Sequence, residues 1–228
     1  MIGEKTIFFL RDKVLRINNS RFWNYIAWNF YFDWSRHGEE WTKSDEWKRA
    51  LVEERIYPNI GINSAVLEIG PGGGKWSEFM VGKVEKLTLM DMTPKCIKIC
   101  RKRFRDHSNI DYYVNNGMDL RGISDESIDF IWSFDCFVHI NSKDTASYVK
   151  EFRRVLKKGG MGIIHHAMEK KNPVRGWRSD MNDKIFKGLL EENGLLLIDQ
   201  FDSWGNGKFN VNTEYVHDMI SCFKKAAA

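Results

Sequence analysis

The sequence predicts an α/β fold: a seven-stranded, mostly parallel, doubly wound sheet preceded by an aromatic-rich helical cap. Three observations carry this. From Ser64 onward short apolar runs alternate with helical stretches, the pattern of a mainly parallel sheet with helices on both faces. The first apolar run ends in a glycine-rich turn that leads into a helical pattern. Residues 1–63 hold five of the nine tryptophans, Trp23, Trp28, Trp34, Trp41 and Trp47, at spacings that suit amphipathic helices.

Pro58, Asn59 and Gly61 break the chain after that aromatic segment, so it reads as a cap over 1–63 and the remainder, 64–225, as one domain. Strands are expected at 65–69, 87–90, 111–114, 129–134, 161–165, 195–201 and 214–222. Helices are expected at 75–81, 94–105, 143–156 and 180–192. The last two strands read as a late hairpin. A chain of 228 residues buries roughly 70% of the surface its unfolded form exposes, enough for a core without staples. With 35 basic against 31 acidic side chains and a formal charge of +4, electrostatics alone point to no nucleic-acid partner. Cys96, Cys100, Cys136 and Cys222 show neither a C-x-x-C pair nor metal-ligand spacing, which suits reduced thiols in the cytoplasm and no metal site. No apolar run approaches the roughly 18–20 residues of a membrane span, and Glu4 and Lys5 interrupt any leader-like start.

The sharpest feature is Val66-Leu67-Glu68-Ile69-Gly70-Pro71-Gly72-Gly73-Gly74-Lys75-Trp76. Glycine there permits positive φ and lets a ligand lie against main-chain amides. A dinucleotide fingerprint G-x-G-x-x-G would need its third glycine at Lys75 or Ser77, so neither register completes it. The complete pattern is E-x-G-x-G-x-G on Glu68, Gly70, Gly72 and Gly74. A tight turn with no ligand is the plain alternative. Asp91 ends the second apolar run, 23 positions after Glu68. A carboxylate there can accept from both hydroxyls of a ribose; the competing role, capping the next helix, is better placed at Thr93.

On these residues the chain resembles the class I S-adenosylmethionine (SAM) dependent methyltransferases, clearly over 64–165 and loosely beyond. The resemblance implies a Rossmann-like fold, SAM as cofactor and S-adenosylhomocysteine as its product. It implies that Gly70, Pro71, Gly72 and Gly73 lie beside the amino-acid part of SAM with Glu68 behind them, and that Asp91 and Met92 serve the ribose. Asn116, Gly117 and Met118 fall where the family often places an acidic residue and a glycine beside adenine; an amide at Asn116 can still bond the adenine amino group and Met118 can pack on the ring. Phe134 completes the expected cofactor set.

Catalytic candidates should follow the fourth and fifth strands, whose carboxyl ends face the ligand crevice of such sheets. Methyl transfer needs alignment and exclusion of water, plus a base only when the acceptor is weakly acidic. Three of the six histidines fall there: His139 is the first choice, then His165, with Asp135 against the sulfonium end of SAM or in the acceptor pocket. Alternation sends only one of His165 and His166 toward the site; His166 is assigned to the acceptor. A hydrogen-bonded structural role for each histidine stays open. The fourth strand reads Phe134-Asp135-Cys136-Phe137, without the Pro-Pro-aromatic tetrapeptide of nucleic-acid amino-methyltransferases.

The chain also resembles a bacterial group of methyltransferases associated with polysaccharide and surface-glycan gene clusters. The matching segments are Trp34 to Trp41, Gly74-Lys75-Trp76-Ser77, Ser133-Phe134-Asp135, His165-His166, Trp177-Arg178 and Gln200. That resemblance implies a small-molecule acceptor, a sugar hydroxyl on a glycan precursor, with Arg36, Trp41 and Arg178 closing over it. Tryptophan faces stack well on sugar C–H surfaces, although the same residues can simply fill an interface. Two other readings stand beside the O-methyltransferase: a SAM-binding regulatory module without catalysis, and a nicotinamide-dependent oxidoreductase.

Overall fold

The computed structural model describes residues 21–168, 178–213 and 216–227. A seven-stranded sheet runs in the order β3-β2-β1-β4-β5-β9-β6. Its members are β1 (Ala65–Ile69), β2 (Lys86–Asp91), β3 (Ile110–Val114), β4 (Ile128–Phe137), β5 (Leu156–Ala167), β6 (Leu195–Phe201) and β9 (Asp218–Lys225). β1 pairs in parallel with β2 and β4, β2 with β3, and β4 with β5, while β9 lies antiparallel between β5 and β6. A two-stranded ladder of β7 (Ser203–Trp204) and β8 (Phe209–Asn210) sits in the connection between β6 and β9.

Alternation along the central strands divides the core in two. Val66, Leu87, Leu89, Phe130, Trp132 and Ile163 pack into one cluster. Leu67, Ile69, Met90, Ile131 and Ile164 pack into the other. Both faces are covered, which is why these strands read as unbroken apolar runs. The helices between them are α3 (Ser77–Met80), α4 (Pro94–Arg103), α5 (Ser142–Val155) and α6 (Asp183–Glu192).

Local chemistry sets the helix boundaries. The Asn141 side chain accepts from Asp144 N to start α5, and Asn182 accepts from Ile185 N to start α6, so the last helix begins at Asp183 and not at 180. Thr93 occupies the N-cap position of α4 and Pro94 its first turn, but the threonine makes no capping bond; its hydroxyl donates to Asp91 instead. The strand expected at 214–222 runs from Asp218 to Lys225. It inserts between β5 and β6, so the last two strands do form a hairpin, lengthened by the small ladder. Residues 214–215 and Trp177 lie outside the described residues.

The N-terminal aromatic segment divides into two parts. In α2 (Asp45–Leu51) and the helical turn that continues it, Trp47, Leu51, Val52 and Ile56 share the first core cluster with the sheet. The aromatic residues between α1 (Arg21–Ile26) and α2 lie over the carboxyl edge of the sheet, with Trp28, Trp34 and Trp41 around a cavity there. Among the described residues, no helix is long and apolar enough to cross a membrane.

Candidate active site

Strand order reverses where β1 meets β4, the place where an open α/β sheet leaves a crevice at its carboxyl ends. A cavity of about 1030 Å³, its open mouth included, lies there. The ends of β1 (Ile69, Gly70, Pro71, Gly72), β2 (Met90, Asp91, Met92, Thr93) and β4 (Phe134, Asp135, Cys136) line it.

The glycine loop turns through φ of 70° at Gly70, 56° at Gly72 and 85° at Gly74, the left-handed region that disfavours other residues. Packing imposes a second requirement. A Cβ on Gly70 would strike Cys136, one on Gly72 would lie 2.5 Å from the Trp34 ring, and one on Gly73 would meet the His37 backbone. The reading that a side chain would obstruct only a ligand is thus incomplete: the loop is bare because protein lies against it. Gly73 does not line the cavity; its carbonyl accepts from Arg103.

On the β2 side, the buried Asp91 takes Thr93 N at 2.8 Å and Thr93 Oγ1 at 2.7 Å on Oδ1, and Gly72 N at 3.3 Å on Oδ2. Burial raises its pKa, against the pull of these bonds. Glu68 lies one layer behind the loop, fully buried, and accepts from Ser77 Oγ. Burial pushes its pKa up to about 8, which favours the protonated form at neutral pH; expected among the cofactor residues, it does not line the cavity. Met92 and Gly117 line the cavity. Asn116 and Met118 do not: Asn116 is exposed and ties up its own loop through Met118 N, Asp119 N and Asp119 Oδ2, while Met118 Sδ takes a contact from Arg21. The amide at the cavity is Asn115, which donates to Tyr148 Oη and the Asp119 carbonyl. A shift of one residue separates it from the expected position, and only the exit path of β3 decides that.

At the β4 end, Asp135 has a φ of 58°, and the β4–β5 register shifts between Ser133 and Phe137. The bulge re-aims the side chain. Asp135 Oδ2 accepts from Lys75 Nζ at 3.1 Å, its backbone N donates to His165 Nδ1 at 3.1 Å, and Oδ1 lies 3.3 Å from that same Nδ1. Burial would raise the carboxyl's pKa, but the Lys75 ammonium beside it overrides that and holds it well below the usual range. His165 does not line the cavity. It stands behind Asp135 with its ring 4.3 Å from that of Phe134, and burial lowers its pKa. On its far side Nε2 faces Asp218 Oδ2 at 3.4 Å, a charge contact without an aligned hydrogen bond, and Asp218 pairs with Arg178. Arg178 returns to the cavity wall.

His139 lines the cavity with its ring 5.1 Å from that of Trp28, and its carbonyl accepts from Asn24, which ties α1 to the loop after β4. His166, expected at the acceptor, points the other way. It bonds Ser221 Oγ and the Ala167 carbonyl and stacks on Phe186 at 4.3 Å, and burial pushes its pKa down to about 4. Arg36 is exposed and away from the cavity wall, whereas Trp41 and Arg178 belong to it. Lys75, Trp28, Trp34 and His37, which the sequence named only within motifs or the aromatic segment, also line the cavity, and so do Asn24 and Asn115, for which the sequence carried no site signal. Among the described residues no cluster of three His, Cys, Asp or Glu could hold a metal ion.

Residues 66–160 match the family model Methyltransf_25, a methyltransferase domain. The segment spans the glycine loop, β2 to β4 and the start of β5. The ubiquinone/menaquinone biosynthesis C-methyltransferase UbiE of Proteus mirabilis is 28% identical over 169 residues, 69% of this chain and 62% of that protein. A ubiquinone biosynthesis O-methyltransferase of Xanthomonas oryzae pv. oryzae is 30% identical over 96 residues, 42% of this chain and 39% of that one. The chain therefore spans less than two thirds of the length of these relatives. The crystal structure of the cyclase SpnF superposes with a TM-score of 0.65 at 16% identity, covering 99% of this chain and 97% of that one; this is likeness of fold.

The cavity suits an adenosyl sulfonium. A carboxylate at the β2 end is placed for a diol, Ile69, Met90, Met92 and Cys96 supply apolar walls, and Asn115 offers an amide. The backbone turn at Gly70–Gly72 borders the same space.

Proposed function

We propose that this chain transfers a methyl group from SAM to a hydroxyl on a small ring-shaped acceptor. The observation that carries this reading is the placement of the glycine turn, Asp91 and an aromatic wall around one cavity at the switch point of the sheet. When bound, SAM supplies an electrophilic methyl carbon; the acceptor oxygen forms the new O–C bond as the S–C bond breaks. Gly70, Pro71 and Gly72 would border the amino-acid end, Asp91 and Met92 the ribose, and Asn115 and Gly117 the base. Residues 28–41 would act as a cap that excludes water from the reacting centre. His139, in the wall beside Trp28, is placed to take the acceptor proton.

Two acceptor classes fit these walls. A sugar hydroxyl on a glycan precursor is supported by the flat faces of Trp28, Trp34 and Trp41. A phenolic ring is supported by the relative named as a ubiquinone biosynthesis O-methyltransferase. Cytoplasmic action is supported by the four free cysteines. Calorimetry with SAM and NAD side by side tests the cofactor, and labelled SAM with panels of nucleotide sugars, glycan precursors and phenols tests the acceptor. A response to NAD alone would remove the methyltransferase reading. Tight SAM binding with no labelled acceptor and no effect of His139→Ala would favour a regulatory module.

A further inference from the structure

A buried file of ionisable side chains, Lys75, Asp135, His165, Asp218 and Arg178, crosses three neighbouring strands. Its side chains are 5%, 28%, 3%, 5% and 10% exposed, so little solvent screens it. Both ends and the second member touch the cavity, since Lys75, Asp135 and Arg178 line it while His165 and Asp218 do not.

The hydrogen-bond pattern fixes what His165 does. A backbone N–H can only donate, so the bond from Asp135 N makes His165 Nδ1 an acceptor and leaves the ring proton on Nε2, toward Asp218. His165 therefore cannot take a proton from the acceptor through Nδ1 without releasing Asp135. What it does is secure the backbone of a residue at φ 58°, a conformation that persists only where the surroundings over-determine it. That conformation turns the Asp135 carboxylate into the cavity next to Phe134.

We infer that the Asp135 carboxylate is the counter-charge for the sulfonium of bound SAM, and that His165, Lys75 and Asp218 are positioning residues that hold it there. This rests on the SAM reading. SAM is cationic at sulfur and S-adenosylhomocysteine is not, so the ratio of their dissociation constants reads the counter-charge without any methyl acceptor. Calorimetry on the full chain would measure both ligands for wild type, Asp135→Asn, His165→Asn and His165→Leu.

Asp135→Asn should cut the preference for SAM over S-adenosylhomocysteine by about fivefold or more, the range of a partly screened charge pair. His165→Leu should cut it comparably, because it removes the acceptor for Asp135 N. His165→Asn should keep the wild-type ratio, since the asparagine Oδ1 can stand where Nδ1 stands. An unchanged ratio in Asp135→Asn overturns the counter-charge. A loss in His165→Asn equal to that in Asp135→Asn overturns the positioning role, and this comparison suffices if the leucine variant does not fold. Failure of wild type to bind either ligand would instead overturn the SAM reading itself.

Discussion

The two sides of the cavity are built differently. The side formed by β1 and β2 uses a contiguous stretch of chain: an apolar strand, a glycine turn, and a carboxylate at the end of the adjacent parallel strand, with backbone doing most of the shaping. The side formed by the end of β4 and the aromatic residues before α2, backed by β5 and β9, uses side chains from distant parts of the sequence, such as Lys75 on Asp135, Asp135 on His165 and Asn24 on His139. The first side depends on conformation and the second on charge and packing, so substitutions should fail differently on each.

The largest effect is expected on the charged side. Lys75→Met leaves the Asp135 carboxylate without its cation, and breaking such a pair from one partner costs about 3 kcal/mol; chemical denaturation should show it, and a loss below about 1 kcal/mol would mean that Asp135 relaxes freely toward solvent. His166, beside His165 but facing the core, gives a pH signature of similar size. Its folded pKa of about 4 lies below the ordinary 6.5, so between those values the unfolded chain binds more protons. Stability it contributes above pH 6.5 is lost as pH falls toward 4, by up to about 3 kcal/mol. His166→Gln should flatten that acid limb.

On the backbone side, Asp91→Ala should weaken SAM binding by about 2 kcal/mol, the scale of charged hydrogen bonds to two hydroxyls, and lower the denaturation midpoint as well, because the Thr93 and Gly72 donors lose their acceptor. Calorimetry showing equal affinity would break the ribose assignment. Glu68 carries the opposite pH sign to His166. Its folded carboxyl keeps its proton to about pH 8 while the unfolded chain releases it near 4.5, so stability falls as pH rises through that window, with a slope approaching about 1.4 kcal/mol per pH unit. Glu68→Gln should remove the slope in denaturation series at stepped pH. The smallest effect is expected at the rim: Trp41 is 38% exposed, and Trp41→Ala should change SAM affinity by less than about 1 kcal/mol while raising the KM of the acceptor.

The strand-turn-helix unit at 65–80, the strand end at Asp91 and the start of α4 at Pro94 were legible because each rests on neighbours in sequence, periodicity and the conformations of glycine and proline, whereas the start of α6 was expected three residues early. Asn116 and Met118 were misplaced by one step because which member of a turn faces a cavity depends on how β3 leaves the sheet. His166 was misassigned, and His165 set too far forward, because alternation says that two adjacent residues face opposite sides without saying what stands there. The expected start of the final strand failed for a related reason: Tyr215 and Val216 favour strand before Asp218, and only pairing with β5 and β6 shows where the ladder begins.

By itself the sequence determined the parallel sheet, its glycine turn and the acidic strand ends, since these follow from backbone sterics and local spacing. Tertiary structure decided the rest. Register pairs Ser133 with Ile164 and Ala167 with Asp218, which sets Asp135, His165 and Asp218 in one file. The fold also lays Trp34 on the bare face of Gly72. Contacts between residues that far apart depend on the placement of whole strands, which no local propensity encodes.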